Sequence, residues 1–342
     1  MTTFLPGTPQ AWVADQVRFH ENLPNLLNAV VGQALNSVVA SDLNLVFDET
    51  SGKAVIRNRD GATKVRNVRV NAVDALEGES FYVRPNGDKY FTRAWGQHTD
   101  VEVARKQRTS PRGKSILLYG APGTGKTAMF EGAFGDDLIT VLGTGDTEVG
   151  DLVGGYVQTV SGGFEWVDGP LVQAAEQGKV LLIDEIGLID PKVLSVVYGL
   201  MDGRKELKVT ANPERAIVKA QDGFFVVAAT NPNAPGVNLS EALLSRFGIQ
   251  AEMTTDWVLA GKLGVPTAAV NVAQNLFKKQ KSDEISWSPQ MRELLDFRDI
   301  AEDLGTEWAV SNLIAQAPFE DRALVADIFT RVFAIEVKPA KI

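Results

Sequence analysis

The sequence predicts an α/β protein in which helices cover both faces of a parallel β-sheet. Three observations indicate this class. Short apolar runs alternate with helix-like segments, which is typical of parallel strands joined by helices; the runs are residues 115–119, 138–142, 180–183 and 224–229. Such runs stop before Trp257, and helical periodicity continues from there to Phe333. Short helix-like and strand-like patterns fill the chain before Arg93.

These changes of pattern predict three domains in a chain of 342 residues. We expect a small mixed α+β N-terminal domain over residues 1–92, an α/β core over residues 93–256 and a C-terminal helical lid over residues 257–342. The basic and polar segment 105–114 is expected to be an exposed connector.

The N-terminal domain carries patterns of structure but no motif that indicates its role. Apolar residues recur every three or four positions over residues 11–40, which predicts one or two amphipathic helices. Residues 43–70 alternate in short bursts broken by glycine turns, as short strands do. The segment Phe81–Phe91 predicts a hairpin closed by a tight primed turn at Asn86-Gly87, which could serve only to cover the core.

Composition excludes several kinds of site. The chain has no cysteine and only two histidines, so a disulfide framework or a His/Cys zinc site cannot form, and any metal must be held by oxygen. A net charge of -9 opposes sequence-independent binding to nucleic acid. Neither a basic and apolar leader nor an apolar run of about 18 to 20 residues occurs, so we expect a cytoplasmic protein without membrane insertion, made in a bacterial cell or encoded by a virus that infects one.

A glycine-rich loop follows the first apolar run of the core and precedes a helix-like segment. It matches all eight positions of the P-loop pattern, with the residues Gly120, Ala121, Pro122, Gly123, Thr124, Gly125, Lys126 and Thr127. Its backbone N–H groups and the following helix dipole would form a cradle for phosphates. We expect Lys126 to contact the β- and γ-phosphates and the Thr127 hydroxyl to bind Mg²⁺. A chance glycine-rich turn is the alternative, which the strand–loop–helix context disfavours.

Two later strands end in polar residues at the same edge of the predicted sheet. The run 180–183 is followed by Asp184 and Glu185. Asp184 is expected to hold Mg²⁺, directly or through water, and Glu185 to orient and deprotonate the attacking water. The next strand ends at Asn231, followed by a proline, and Asn231 could position that water. Each feature alone could be an ordinary strand end.

Together these motifs resemble AAA+ ATPases of the MoxR-like branch, which includes CbbQ-, NorQ- and GvpN-type proteins. The resemblance covers residues 93–333 and rests also on the segments 143–155 and 163–171. It implies that ATP and Mg²⁺ are bound, that copies of the chain form a ring, usually a hexamer, and that the ring acts on a protein client, possible clients including proteins with a von Willebrand A domain.

The resemblance also implies two arginine roles. Arg246, in the segment Leu239–Phe247, would reach the γ-phosphate bound by the neighbouring subunit; the alternative is a surface arginine that closes a helix. Arg292, in the segment Ser288–Phe297, would contact nucleotide from the lid. The sequence departs there from the simple Ser-Pro-Arg form by two positions, so Arg298 or a helical salt bridge remains an alternative.

Members of this branch carry two hairpin inserts that face the ring pore. Here the first would be residues 156–166, with Gly162-Gly163 as its turn, and the second residues 206–223. Either hairpin could instead be an ordinary extension of the sheet.

The sequence therefore predicts an Mg²⁺-dependent ATPase whose cycle remodels or activates a partner protein. The alternative is a nucleic-acid-stimulated motor or a nuclease-coupled NTPase, which the net charge and the lack of a recognisable DNA-binding motif oppose. A small-molecule kinase or GTPase shares the P-loop alone, and the chain has no Asn-Lys-x-Asp guanine signature.

Overall fold

The computed structural model describes residues 43–48, 53–58, 80–215, 217–335 and 339 of the chain. The chain divides into two compact units, residues 1–70 and 71–342. In the first unit, strand β1 (Leu43–Asp48) pairs antiparallel with β2 (Lys53–Asn58), in agreement with the predicted strand pattern. The helices predicted over residues 11–40 lie outside the described residues, and the domain boundaries after residues 92 and 256 remain predictions.

A five-stranded parallel sheet forms the centre of the second unit, with the strand order β15-β7-β14-β11-β8. The strands are β7 (Ile116–Tyr119), β8 (Leu138–Leu142), β11 (Val180–Asp184), β14 (Phe225–Thr230) and β15 (Ile249–Glu252). The first four agree with the predicted apolar runs. Strand β15 was missed because this edge strand, Ile-Gln-Ala-Glu, lacks the continuous apolar character of a buried strand.

Both faces of this sheet are packed against helices, which explains why its inner strands are largely apolar at successive positions. In β11, Val180 and Leu182 belong to one core cluster, while Leu181 and Ile183 belong to the other. This alternation follows from the two-residue period of a strand. The helices of the core are α1 (Asp100–Thr109), α2 (Lys126–Phe134), α3 (Val149–Val153), α4 (Pro170–Gln177), α5 (Pro191–Met201) and α6 (Glu241–Leu244).

The segment 105–114 is not a connector over its whole length, as the sequence had suggested. Its first half belongs to helix α1, which begins at a capping box made by Thr99 and Glu102 and buries Val101 and Ala104. Only residues 110–114 form a connector. The prediction failed because the basic side chains are not simply solvated: Arg105 donates to the carbonyl of Ala133, and Arg108 donates to the carbonyl of Gly178.

Four short hairpins surround the sheet. Strand β3 (Phe81–Val83) pairs with β4 (Lys89–Phe91), and β5 (Ala94–Trp95) pairs with β6 (His98–Thr99). Strand β9 (Gly154–Gln158) pairs with β10 (Phe164–Asp168), and β12 (Glu206–Lys208) pairs with β13 (Ile217–Lys219). The hairpins predicted at residues 81–91, 156–166 and 206–223 are therefore present.

The turns of two hairpins differ from the predicted two-residue type. In the first hairpin the N–H of Gly87 donates to the carbonyl of Arg84, and Arg84 also pairs through its N–H with the carbonyl of Asp88. In β9–β10 the N–H of Gly162 donates to the carbonyl of Thr159 in the same way. Both loops thus have three residues, with glycine at positive φ in the third position. In the hairpin β3–β4, Pro85 accounts for this loop, because its ring fixes a negative φ at the first position of the turn, which a primed turn does not allow.

The C-terminal part of the chain is helical, as predicted. Its helices are α7 (Trp257–Lys262), α8 (Thr267–Lys281), α9 (Met291–Leu304), α10 (Thr306–Gln316) and α11 (Arg322–Phe333). They enclose a separate apolar core that includes Leu276, Phe297 and Phe329. Within the part of the chain that the structure describes, no helix is long and apolar enough to cross a bilayer.

Candidate nucleotide-binding site

The P-loop connects β7 to α2 at the carboxyl edge of the sheet. Gly120, Gly123 and Gly125 all have positive φ, a backbone conformation that glycine adopts without steric cost. A side chain at Gly123 would lie 3.1 Å from the Cβ of Arg292 and 3.3 Å from the Glu293 carboxylate. Glycine is therefore needed at position 123 both for backbone conformation and for contact with the lid.

Lys126 lies at the start of α2 and is almost completely buried. Its ammonium group donates to the carbonyls of Gly120 and Ala121, both at 2.9 Å. Burial lowers the pKa of Lys126, and the negative charges of Glu185 and Asp184 partly oppose this shift. The two carboxylates thus favour the charged form of Lys126 at the base of the P-loop.

Thr127 and Asp184 form the oxygen pair that the sequence suggested for Mg²⁺. The hydroxyl of Thr127 donates to the Asp184 carboxylate at 2.8 Å. A hydroxyl and a carboxylate are hard oxygen ligands of the kind that Mg²⁺ prefers, and few protein ligands are needed because Mg²⁺ keeps several waters. The residues present therefore fit this metal ion.

Glu185 follows Asp184 in a left-handed backbone conformation, with φ of 50° and ψ of 41°. This conformation is rare for a residue with a side chain and typically costs about 1–3 kcal/mol. It turns the chain at the end of β11, where the Glu185 carboxylate accepts a hydrogen bond from the N–H of Asn231 at 3.3 Å. The ends of β11 and β14 are thus linked, and the structure brings Glu185 and Asn231 together as the sequence suggested.

Arg292 lies in the first turn of α9, against the P-loop. Its N–H donates to the carbonyl of Gly123 at 3.2 Å. Arg298, the alternative from the sequence, instead bonds the carbonyl of Leu263 and the carboxylate of Asp299. Of the two arginines, Arg292 is the one that lines the cavity above the P-loop, which is described next.

A cavity of about 420 Å³ lies above the P-loop, a size typical of small-molecule sites. The lining includes side chains with phosphate- or metal-binding character: Lys126, Thr127, Asp184, Glu185 and Arg292. It also includes apolar side chains: Phe91, Leu259, Leu263, Met291 and Leu295. We call the first group the charged region of the cavity and the second group, contributed partly by the lid, its apolar wall.

Arg246 is not among the residues that line this cavity. Its guanidinium carbon lies 3.8 Å from the ring centre of Tyr198, and its Nη1 donates to the carbonyl of Ala242 at 2.5 Å. Its Nε is buried without a hydrogen-bond partner among the described residues. Within one chain, Arg246 is thus separate from the P-loop site.

Sequence reasoning missed the contribution of the hairpin β3–β4 and the residues that follow it. Arg84, Lys89, Tyr90, Phe91 and Arg93 all line the cavity. Arg84 forms an ion pair with Glu131 of α2, which attaches the hairpin to the helix after the P-loop. The signal available in the sequence was a basic and aromatic hairpin placed directly before the core, but nothing in the pattern indicates the direction in which it packs.

The parallel sheet, the P-loop and the acidic pair at the end of β11 define a P-loop nucleotide-binding protein with a helical lid. The family model for the AAA domain of the dynein-related subfamily matches residues 115–247. Residues 115–247 are therefore similar to an AAA domain, in agreement with the resemblance to AAA+ ATPases given by the sequence.

Curated relatives are similar to part of this chain. An uncharacterised protein of Bacillus subtilis, YojN, is 36% identical over 144 residues, which are 40% of this chain and 47% of YojN. Midasin of Giardia intestinalis is 30% identical over 159 residues, which are 43% of this chain and 3% of midasin. This chain therefore spans about half of YojN and a small part of midasin. A crystal structure of a candidate ATPase from Cytophaga hutchinsonii is 17% identical, with a TM-score of 0.37, over 70% of this chain and 89% of that one.

Proposed function

We propose that this protein binds and hydrolyses ATP at the cavity above the P-loop and uses the cycle to remodel or activate a partner protein. The observation that carries the proposal is the convergence of Lys126, Thr127, Asp184 and Glu185 on one cavity that the lid also borders. A phosphate chain fits the charged region. A purine ring fits the apolar wall that includes Phe91 and Leu259.

Each polar residue has a separate task in this proposal. The P-loop N–H groups and Lys126 bind the β- and γ-phosphates. Mg²⁺, held through Thr127 and Asp184, would neutralise charge on the transferring phosphoryl group. Glu185 accepts a proton from the attacking water, and Asn231, linked to Glu185 by its backbone, helps to place that water.

We propose that Arg246 completes the site of a neighbouring copy rather than its own. The support is its separation from the cavity of its own chain and its position two residues after the short helix α6, whose Glu241 and Ala242 are exposed. Arginine fingers supplied by another chain accelerate phosphoryl transfer by about 10³ to 10⁵. The proposed assembly is a homo-oligomeric ring, with a hexamer as the usual number in the family.

The proposed partner-directed step uses the lid and the hairpins. Nucleotide binding would draw α9 toward the P-loop, where Arg292 already contacts Gly123, and hydrolysis would release it. The hairpin β9–β10 exposes the apolar residues Tyr156, Val160 and Phe164, which suits contact with a protein client. A client with a von Willebrand A domain is one proposal for this partner.

ATP hydrolysis and mass in solution, measured together, test the proposal. The wild-type protein is expected to hydrolyse ATP only with Mg²⁺. It is also expected to form oligomers when ATP and Mg²⁺ are present. Glu185→Gln should bind ATP but lose turnover, and Arg246→Ala should lose turnover by at least 10²-fold. The matched control is Glu307→Gln, because Glu307 is an exposed residue of the lid. This variant should keep wild-type turnover. Full turnover by Glu185→Gln would contradict the assignment of the base.

A further inference from the structure

Arg93 lies in the short segment between β4 and β5, with its backbone held at both ends. Its N–H donates to the Asp100 carboxylate at 3.1 Å, and its carbonyl accepts from the N–H of Asp100 at 2.9 Å. Asp100 is only 4% exposed and also accepts a hydrogen bond from the buried hydroxyl of Tyr90. The position of Arg93 is therefore set by a buried, hydrogen-bonded carboxylate.

The side chain of Arg93 joins two separate parts of the nucleotide site. Its Nη2 donates to the carbonyl of Thr124 in the P-loop at 2.8 Å, and its Nη1 donates to the carbonyl of Thr254 at 2.9 Å. Thr254 lies two residues before Asp256, which is the N-cap of the first lid helix, α7. Arg93 thus connects the P-loop to the segment that enters the lid.

The bond to Thr124 determines the direction of one P-loop peptide. In a trans peptide the C=O and the N–H point to opposite sides. The Thr124 carbonyl points to the guanidinium of Arg93, so the N–H of Gly125 points away from it. Nη2 of Arg93 would also lie 3.1 Å from a Cβ at Gly125, so the guanidinium covers the outer side of this turn.

We propose that Arg93 is a positioning residue for the phosphate cradle. It holds the Thr124–Gly125 peptide with its N–H available to an anion, and it ties that peptide to the entry of the lid. The inference rests on the proposed nucleotide function of the P-loop. Lysine cannot replace Arg93 fully, because an ammonium is a compact charge without the planar fork that reaches two carbonyls.

The test compares three variants: Arg93→Ala, Arg93→Lys and Arg105→Ala. Arg105 is a matched control, since its guanidinium also bonds two backbone carbonyls, those of Ala133 and Gly132, at the opposite end of α2. Two readouts are needed. One is the dissociation constant of a fluorescent ATP analogue with Mg²⁺, and the other is backbone hydrogen exchange without nucleotide.

Arg93→Ala is expected to weaken binding of the analogue by about ten- to a hundredfold, as loss of charge-assisted hydrogen bonds at one site would do. Arg93→Lys should restore part of this loss. Exchange should rise in residues 121–127 and 253–256 for Arg93→Ala. For Arg105→Ala, hydrogen exchange should rise only near residues 132–135, and the affinity for the analogue should be unchanged.

Wild-type affinity together with unchanged exchange at residues 121–127 in Arg93→Ala would overturn the inference. Equal losses of affinity in Arg93→Ala and Arg105→Ala would also overturn it, since they would indicate a general loss of stability. If wild type binds no ATP analogue, the proposed function fails. The exchange measurement then still decides whether Arg93 holds the P-loop.

Discussion

Gly123 is a residue at which the P-loop and the lid are in direct contact. Its φ is 76°, and a Cβ there would press on the Cβ of Arg292 at 3.1 Å. We expect Gly123→Ala to strain the loop, displace the start of α9 and lower the rate of ATP hydrolysis by at least tenfold. Steady-state hydrolysis as a function of ATP concentration measures this loss.

Gly150 provides the control for this substitution. It lies in helix α3 at an exposed position, with negative φ and no atom within 4 Å of an added Cβ. Gly150→Ala should keep wild-type hydrolysis and should stabilise the helix by up to about 1 kcal/mol. Normal hydrolysis by Gly123→Ala would show that the contact between the P-loop and the lid tolerates a wider spacing.

Asp100 makes a pH-dependent contribution to stability. Burial raises the pKa of its carboxyl above the ordinary value of 3.8, while hydrogen bonds from Tyr90, Arg93 and Val101 oppose the shift. The folded protein therefore keeps this proton to higher pH than the unfolded chain does. The resulting stabilisation is complete below pH 3.8 and is lost as pH rises through the raised pKa.

Asp100→Asn removes this titration and retains a hydrogen-bonding side chain of the same shape. The free energy of unfolding of wild type, relative to Asp100→Asn, should fall as pH rises from below 3.8 toward neutrality. Urea unfolding of both proteins over this range measures the difference. The exposed Asp303→Asn serves as control. A relative stability of wild type that rises with pH would contradict the expected direction.

At the scale of elements, the start of α9 is held by a buried polar network. Gln290, the N-cap, accepts from the Thr255 hydroxyl at 2.8 Å and donates to the carbonyl and hydroxyl of Ser288. A capping box with Glu293 completes the network. The helix that carries Arg292 is therefore anchored to the segment that enters the lid.

We expect Gln290→Ala to lower the free energy of unfolding by about 1–3 kcal/mol, because it leaves the buried Thr255 hydroxyl unpaired. Urea unfolding followed by circular dichroism measures this change. Gln177→Ala, at the exposed end of α4, should change stability by less than about 0.5 kcal/mol. Equal stability of the two variants would show that water replaces the lost side chain.

At the scale of the whole molecule, the position of Arg246 predicts complementation between inactive variants. Arg246→Ala keeps Glu185, and Glu185→Gln keeps Arg246. In a mixed ring, a site with intact Glu185 can receive Arg246 from a Glu185→Gln neighbour. Mixing the two variants should restore part of the ATP hydrolysis that each lacks alone.

Two controls make this experiment specific. Each variant at the same total concentration should remain inactive, and a mixture of Glu185→Gln with the Glu185→Gln, Arg246→Ala double variant should gain nothing. Absence of recovery in the first mixture, with mixed oligomers present by native mass spectrometry, would place the action of Arg246 within its own chain.

Much of this architecture followed from local patterns in the chain. Continuous apolar runs marked four of the five central strands, because a strand covered on both faces needs apolar residues at successive positions. The P-loop and the acidic pair were recognisable since their chemistry requires particular residues at adjacent positions. Edge strand β15 and helix α1 were missed, as each combines polar side chains with burial on one face only.

The tertiary structure decided which distant segments meet at the nucleotide cavity. The sequence gives no sign that Arg93 contacts Thr124 and Thr254, which are 31 and 161 residues away, because such contacts arise from packing. The same holds for the apolar wall made by Phe91 and Leu259. Local spacing selects the residues that can perform the chemistry, whereas the fold selects the residues that hold them in place.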